Sequence, residues 1–306
     1  MSGAHDHHHD HGAHDHGHAP PRQMTAAFAI GMALNILFVI VGVVAGLAAH
    51  STALLADAAH NLGDVLGLGM AWGATILANR ARTTRRTYGL RRTTILAALG
   101  NGGLVLFAVG GVAWEAIHQL QAPPKVEGGV VALVAALGVV INAGAAMLFA
   151  KGREGDVNIR GAYLHLMADA AVSAGVVVSG LLVWKTGIAW IDPATSLIVS
   201  VVILFGTWKL LRETIDLLLD AVPERIDPAA VEAYLASVPG VTSVHDLHIW
   251  SMSTTEAALT AHLAMPWEAC SPTLIRETAH EIEHQFQIRH VTIQVEPDDG
   301  TKCKNC

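Results

Sequence analysis

Two short patterns place chemically capable residues where the chain is otherwise apolar. In ALLADAAHNLGD, His60 and Asp64 stand four residues apart, and in AYLHLMADA, His165 and Asp169 repeat that spacing. A helix brings positions i and i+4 onto one face, so each pair converges within a single turn. Two such helices side by side supply two imidazoles and two carboxylates, a donor set that can close a tetrahedral shell around zinc. Both segments read as long enough to cross a membrane, where an ionised side chain costs about 2.5–3.5 kcal/mol and needs a partner. A divalent cation is such a partner, because two Asp cancel its charge while neutral His adds none. Ordinary polar contacts between helices would explain one pair more readily than two with the same spacing.

The same donors suggest a coupling. Histidine must lose its proton to bind a metal, and a desolvated carboxylate titrates closer to neutrality than a solvated one. Arriving metal therefore displaces protons and arriving protons displace metal. A site of this kind, opened alternately to each side, would exchange a divalent metal for protons.

Composition sets the class of element that must hold these residues. Of 306 residues 52% are hydrophobic and 15% charged, which is more apolar surface than a soluble domain can hide and points to a membrane protein. Lys and Arg total 19 against 26 Asp and Glu, so nothing favours a nucleic-acid partner. All three cysteines, Cys270, Cys303 and Cys306, lie in the last third, which excludes a disulfide scaffold and leaves the final C-x-x-C as a metal or redox pair. The start lacks the basic segment, short apolar core and cleavage site of a signal peptide, so the first spanning helix is expected to do the targeting.

Residues 1–22 form a His-rich tail, with eight His among the first eighteen residues and Asp in several gaps. Such a tract has nothing to bury and is expected to be disordered and cytoplasmic, either gathering metal loosely or being a tag or a tract with no role. Residues 23–220 are expected to form a transmembrane domain of six helices, at about 24–48, 52–79, 93–119, 128–150, 159–184 and 188–211. The link after the second span carries Arg80, Arg82, Arg85, Arg86, Arg91 and Arg92, and the link after the fourth carries Lys151, Arg153 and Arg160. The other links hold only Lys125 and Lys185, so the positive-inside rule puts both termini in the cytoplasm, with the cell's inner membrane as the expected location. The Arg cluster reads equally as a topology signal with headgroup contact and as something more.

Residues 221–306 read as a small α+β cytoplasmic domain of order αββαβ, a ferredoxin-like arrangement. DPAAVEAYLASVPG is a short helix opened by Asp227 and Pro228, and SPTLIRETAHEIEHQF is an amphipathic one. VTSVHDLHIWSMS, EAALTAHLAM and RHVTIQVE are β-rich. In the last, Val291, Ile293 and Val295 are expected to face the core, leaving His290, Gln294 and Glu296 on the polar face.

These residues also carry a resemblance. The S-x-A-L-x-x-D-A-x-H-x-x-x-D pattern from Ser51 to Asp64, the H-x-x-x-D at His165 and VHDLHIW resemble the cation diffusion facilitator family of zinc, cadmium and cobalt exporters, over nearly the whole chain from Met24 to Glu296. The resemblance implies a six-helix homodimeric transporter working by proton antiport, with a ferredoxin-like domain that binds metal and helps the protein dimerise. Carried over position by position, His60, Asp64, His165 and Asp169 are the transport site, a set typical of the zinc-preferring branch. It further implies a cytoplasmic metal site at His245, His262 and Glu296, with Cys303 and Cys306 resembling a cysteine pair that vertebrate vesicular zinc transporters carry there. The chain departs from relatives at Gly42 and Thr94, where many have acidic residues, and at Gln294, where some have His. No His stands in the link between the second and third spans, so the extra loop metal site of some relatives is expected to be absent.

Single residues are less determinate. Asp57, one turn before His60, reads either as a proton-transfer group or as a polar contact near the helix start. Asn35 and Asn142 read as interhelical hydrogen-bonding groups. His248, His280 and His284 read as surface or strand histidines, and His290 as a weak ligand candidate. Asp216 and Asp220 either pair with the Arg-rich link or stay solvated, and solvation is the simpler expectation. Two other function classes remain: a membrane-anchored metal sensor, and a membrane zinc hydrolase. Four protein ligands leave no open position for a water, so the chain is not expected to be an enzyme. Loss of metal efflux on replacing Asp64 or Asp169 by Ala separates a transporter from a sensor that reads its soluble domain.

Overall fold

The protein is described here from a computed structural model covering residues 24–150 and 157–297. The His-rich tail, Lys151, Arg153, Cys303 and Cys306 lie outside the described residues. Six long helices come first: α1 (Met24–Ala48), α2 (Thr52–Ala78), α3 (Thr93–Gln121), α4 (Gly128–Phe149), α5 (Val157–Thr186) and α6 (Ile191–Leu218). Their outer faces carry Phe107, Leu133, Trp184 and Phe205, each more than two-thirds exposed, and the reverse of a soluble bundle is what a bilayer solvent requires. The chain is accordingly a multi-pass integral membrane protein.

Among the described residues, α3, Gly128–Met147, Tyr163–Thr186 and α6 are each long and apolar enough to cross a membrane, fewer than the six spans expected. In α1 the stretch Met32–Ala48 is apolar. For α2 the difference has a local cause. In α2, Asp57, His60, Asn61 and Asp64 interrupt the run, so the helix that holds half the chemistry is the one whose apolarity suffers.

The bundle closes on a core that includes Phe38, Leu54, Val131 and Val176. Helices α4 and α5 pack most intimately, because Gly180 meets α4 backbone directly: a Cβ there would fall 2.6 Å from Ala132 N and 2.9 Å from Gly128 O. At the start of α2, Ser51 Oγ caps Leu54 N at 3.1 Å.

The soluble portion runs α7 (Pro228–Ala236), β1 (Ser243–Ser251), β2 (Ala257–Ala264), α8 (Pro272–Phe286) and β3 (His290–Glu296). Asp227 caps α7 at Ala229 N, 2.9 Å, with proline following, and Ser271 caps α8 at Leu274 N, 3.1 Å. The sheet order is β1-β2-β3, antiparallel between β1 and β2 and parallel between β2 and β3. Val231, Leu235, Leu259, Leu263 and Ile282 form its core, with Val291 and Ile293 packed against it, so β3 presents its faces as the alternation predicts.

The two portions meet where α3 begins. Thr254 N donates to Thr94 Oγ1 at 3.1 Å, and Arg91 Nη1 donates to Glu256 Oε2 at 2.6 Å and to His290 Nε2 at 2.8 Å. Asp220, just past α6, pairs with Arg92 while more than half of its side chain stays exposed, so pairing and solvation coexist there. Its backbone sits at φ 61, a left-handed turn that redirects the chain toward the α3 start.

Candidate metal centre

Helices α2 and α5 meet where their polar residues face one another. Asp169 is buried, and its Oδ1 lies 3.0 Å from His60 Nε2. His165 Nε2 lies 3.6 Å from Asp64 Oδ1 and 3.6 Å from Asp169 Oδ2, and His60 Nε2 lies 3.9 Å from Asp64 Oδ2. Each imidazole thus stands between two carboxylates, one from each helix. The two rings are 6.3 Å apart and nearly perpendicular. Ligand atoms of His60, Asp64 and Asp169 fall within 4.8 Å of one another, while His165, with 54% of its side chain exposed, closes the group from the open side. Three convergent N and O donors, with a fourth at the accessible edge, can take up a borderline divalent cation and release it.

One turn along both helices from this group, Ser173 Oγ donates to Asp57 Oδ1 and Oδ2 at 3.0 and 3.1 Å, and both residues are fully buried. Asp57 thus braces α2 against α5. Its own carbonyl also accepts from Asn61 Nδ2 at 2.9 Å.

Asp192 was missed by the sequence reading. Fully buried at the start of α6, it accepts from Ser51 Oγ at 2.5 Å, from Thr52 Oγ1 at 3.2 Å and from Ala53 N at 3.2 Å. Ser196 Oγ adds a bond to Thr52 O at 3.1 Å. The first turn of α2 is therefore bolted to α6, which fixes the end of the helix that carries His60 and Asp64. A lone acid before Pro193 in an apolar run was the signal available, but nothing in the sequence names its partners.

In the soluble portion the β1–β2 register puts His245 opposite His262, and the β2–β3 register puts His262 opposite Gln294 and Ala264 opposite Glu296. His245 Nε2 lies 3.1 Å from Glu296 Oε2, and His262 Nδ1 lies 3.0 Å from Glu296 Oε1. That Nδ1 is buried without a hydrogen bond, an unsatisfied polar atom beside a carboxylate that a cation held by both would satisfy. The donor set fits zinc. Gln294 Nε2 donates to Glu296 Oε1 at 2.8 Å, orienting the carboxylate without ligating.

A bulge in β1 between His245 and His248 also brings in Asp246, at φ 52, whose carboxylate lies 3.4 Å from His262 Nε2 and 2.9 Å from His248 Nε2. His248 is an exposed strand histidine, as expected, and reaches this group only through Asp246. His290 lies apart from it and is engaged by Arg91. Burial, and after it the Arg91 guanidinium, holds the His290 imidazole below its ordinary pKa.

Comparison with known proteins follows the same division. Residues 28–219 match the cation efflux transmembrane domain, and residues 223–298 match the cation efflux protein cytoplasmic domain. The metal cation efflux system protein CzcD of Cupriavidus metallidurans is 37% identical over 293 residues, covering 95% of this chain and 89% of that protein. A cadmium, cobalt and zinc/H(+)-K(+) antiporter of Bacillus subtilis is 33% identical, covering 85% of each chain. The zinc transporter ZitB of Escherichia coli is 33% identical, covering 87% of this chain and 86% of that one. Among solved structures, the metal-bound C-terminal domain of the Cupriavidus CzcD transporter is 40% identical over 23% of this chain and 99% of that one, with a TM-score of 0.22. Matched through both its membrane and its soluble portion, the chain belongs to the cation diffusion facilitator family and is a metal cation efflux transporter, not an enzyme.

Proposed function

We propose that this transporter exports zinc, with cadmium and cobalt as further substrates, from the cytoplasm in exchange for protons, through a site made of His60, Asp64, His165 and Asp169. The observation that carries this reading is the interleaving of the four side chains across α2 and α5, each imidazole between carboxylates of both helices. A mixed imidazole and carboxylate set suits zinc, cobalt and cadmium better than the oxygen-rich coordination favoured by manganese or magnesium. Because both His must shed protons to bind the metal, unloading by protons from the far side and reloading from the cytoplasm form one cycle. The names of relatives, a zinc transporter and a cadmium, cobalt and zinc/H(+)-K(+) antiporter, agree with this substrate range.

The remaining architecture follows from the same reading. Six spans cross the membrane, with α2 tolerated there because its polar residues face the bundle and the metal. Both termini are cytoplasmic, in the inner membrane. Residues 1–22 form the His-rich tail, 23–220 the transport domain and 221–306 a ferredoxin-like cytoplasmic domain through which two copies pair. In that domain His245, His262 and Glu296, with Cys303 and Cys306 from the tail end, hold resident zinc, which stiffens the domain and senses cytoplasmic metal. Asp57 is assigned to proton transfer beside the site as well as to its brace.

The test uses protein reconstituted in vesicles at equal zinc on both sides. An imposed pH gradient should drive zinc uphill in the wild type and not in Asp64→Ala. Zinc that fails to move under the gradient, while still exchanging down its own gradient, would remove proton antiport from the proposal.

A further inference from the structure

The link between α2 and α3 is a folded element. Thr83 and Arg86 exchange backbone hydrogen bonds at 3.2 and 3.1 Å, and Gly89 N donates to Arg86 O at 2.9 Å. Gly89, at φ +77, adopts a conformation that a side chain would strain, and a Cβ there would come within 4 Å of the Arg80 carbonyl and the Arg82 stem. The turn thereby sorts its arginines. Arg80 and Arg82 face a cavity of about 460 Å³ between the end of α2, the start of α3 and the β1–β2 turn, whereas Arg85 and Arg86 stay outside it.

The charges lining this cavity do not balance. Its one acid, Glu256, is already held by Arg91 at 2.6 Å and approached by Arg289 at 3.9 Å. Arg92 is taken by Asp220. Among the described residues Arg80 and Arg82 have no ion pair, and half-exposed Tyr88 adds a free phenol to the same wall. The positive field is felt nearby, since Arg82 as well as Arg91 disfavours protonation of His290. Thr75 and Ala78, from the last turn of α2, also line it, so the cavity lies at the end of that largely apolar helix. Arg and Tyr at that depth, in a formed pocket, match the chemistry of a phosphate headgroup.

We propose that this cleft binds a phosphate-bearing anion, with Arg80 and Arg82 as its charged donors and Tyr88 as a neutral one. The membrane boundary favours an anionic phospholipid as the source, and a soluble phosphate would meet the same donors. A lipid held there would touch α2, α3 and the soluble turn together, coupling the membrane to the joint between the two portions of the chain. The inference depends only on the membrane location of the chain and not on the proton or zinc assignments.

A basic loop that acts only through its total charge would be indifferent to which arginines are removed, and this gives the test. Full-length protein in neutral detergent is titrated with phosphatidylglycerol or phosphatidylcholine, and bound lipid is counted by native mass spectrometry, with inorganic phosphate as competitor. Wild type should retain phosphatidylglycerol over phosphatidylcholine; R80Q/R82Q should bind it about tenfold or more weakly, while R85Q/R86Q stays within about twofold of wild type. R80K/R82K keeps the charge and guards against misfolding, and should bind between the wild type and R80Q/R82Q. Competition by millimolar phosphate identifies a soluble anion as an occupant, and lack of competition identifies the lipid. Equal losses in the two Gln double variants, or no loss in either, would overturn the proposal.

Discussion

His60 Nε2 lies closer to Asp169 on the neighbouring helix, at 3.0 Å, than to Asp64 one turn along its own helix, at 3.9 Å. The strongest contact in the candidate site is therefore between helices. Any displacement of α2 against α5 opens the site, whereas flexing within either helix leaves its two donors together.

Asp169→Ala should on this basis be the most damaging ligand change. Asp169 is the most buried of the four, and its carboxylate faces both imidazoles. Zinc flux into vesicles is expected to fall by about a hundredfold or more, with Asp169→Glu recovering a fraction because charge survives at the wrong reach.

Ser173→Ala separates bracing from ligation. It removes the donor to both Asp57 oxygens and leaves a buried carboxylate unpaired, so thermal stability in detergent should fall by about 1–3 kcal/mol. Asp57→Asn keeps a partner for Ser173. If Asp57 carries protons, that variant binds zinc with near-normal affinity but loses zinc movement driven by pH; if it only braces, both survive.

Asp192→Ala should cost more than an ordinary cap. The exposed Asp227 cap of α7 is worth about 1 kcal/mol on removal, but Asp192 satisfies three buried donors at once, and its loss should cost about 3 kcal/mol or more. Comparing the two Ala variants by thermal unfolding checks the ratio.

How much of this was legible beforehand depended on range. Ser51 and Asp227 start helices by local chemistry, and the helix starts expected at 52, 93 and 128 agree with α2, α3 and α4. The i, i+4 pairs pointed to each half of the candidate cluster, and the repeat of the spacing suggested that the halves meet, as they do between α2 and α5. Contacts such as Asp192 with Ser51, Arg92 with Asp220 or Arg91 with His290 join residues remote in sequence and have no period to betray them. The end of α6 was set too early, at 211 instead of Leu218, because Lys209, Arg212 and Glu213 end the apolar run while the helix continues into the polar zone. Asp246 was passed over because a bulge reverses the face that simple alternation assigns it.

Chelation should read out the soluble site separately. With His245, His262 and Glu296 gathered at 3.0–3.1 Å, zinc at a hundred times its dissociation constant would stabilise the domain by about 2.7 kcal/mol. A chelator should lower the soluble domain's unfolding temperature in wild type and leave that of His262→Ala unchanged.

The last expectation concerns acid. Burial, followed by the charge of Arg91, holds the His290 pKa below its ordinary 6.5, so at mildly acid pH the unfolded chain takes up a proton that the folded chain refuses. The contribution of this residue to stability is complete above pH 6.5 and is lost as the pH falls from there toward the depressed folded value. The Arg91 bond to His290 Nε2 breaks when that nitrogen is protonated, and the same guanidinium holds Glu256, so acid should loosen the joint between α3 and the sheet before it unfolds the domain. Hydrogen exchange at Thr254 N, which bonds Thr94 across that joint, should therefore become less protected between pH 7 and pH 5, relative to the intrinsic rate, with the change much reduced in His290→Gln. Equal loss of protection in wild type and variant would show that the joint responds to other groups.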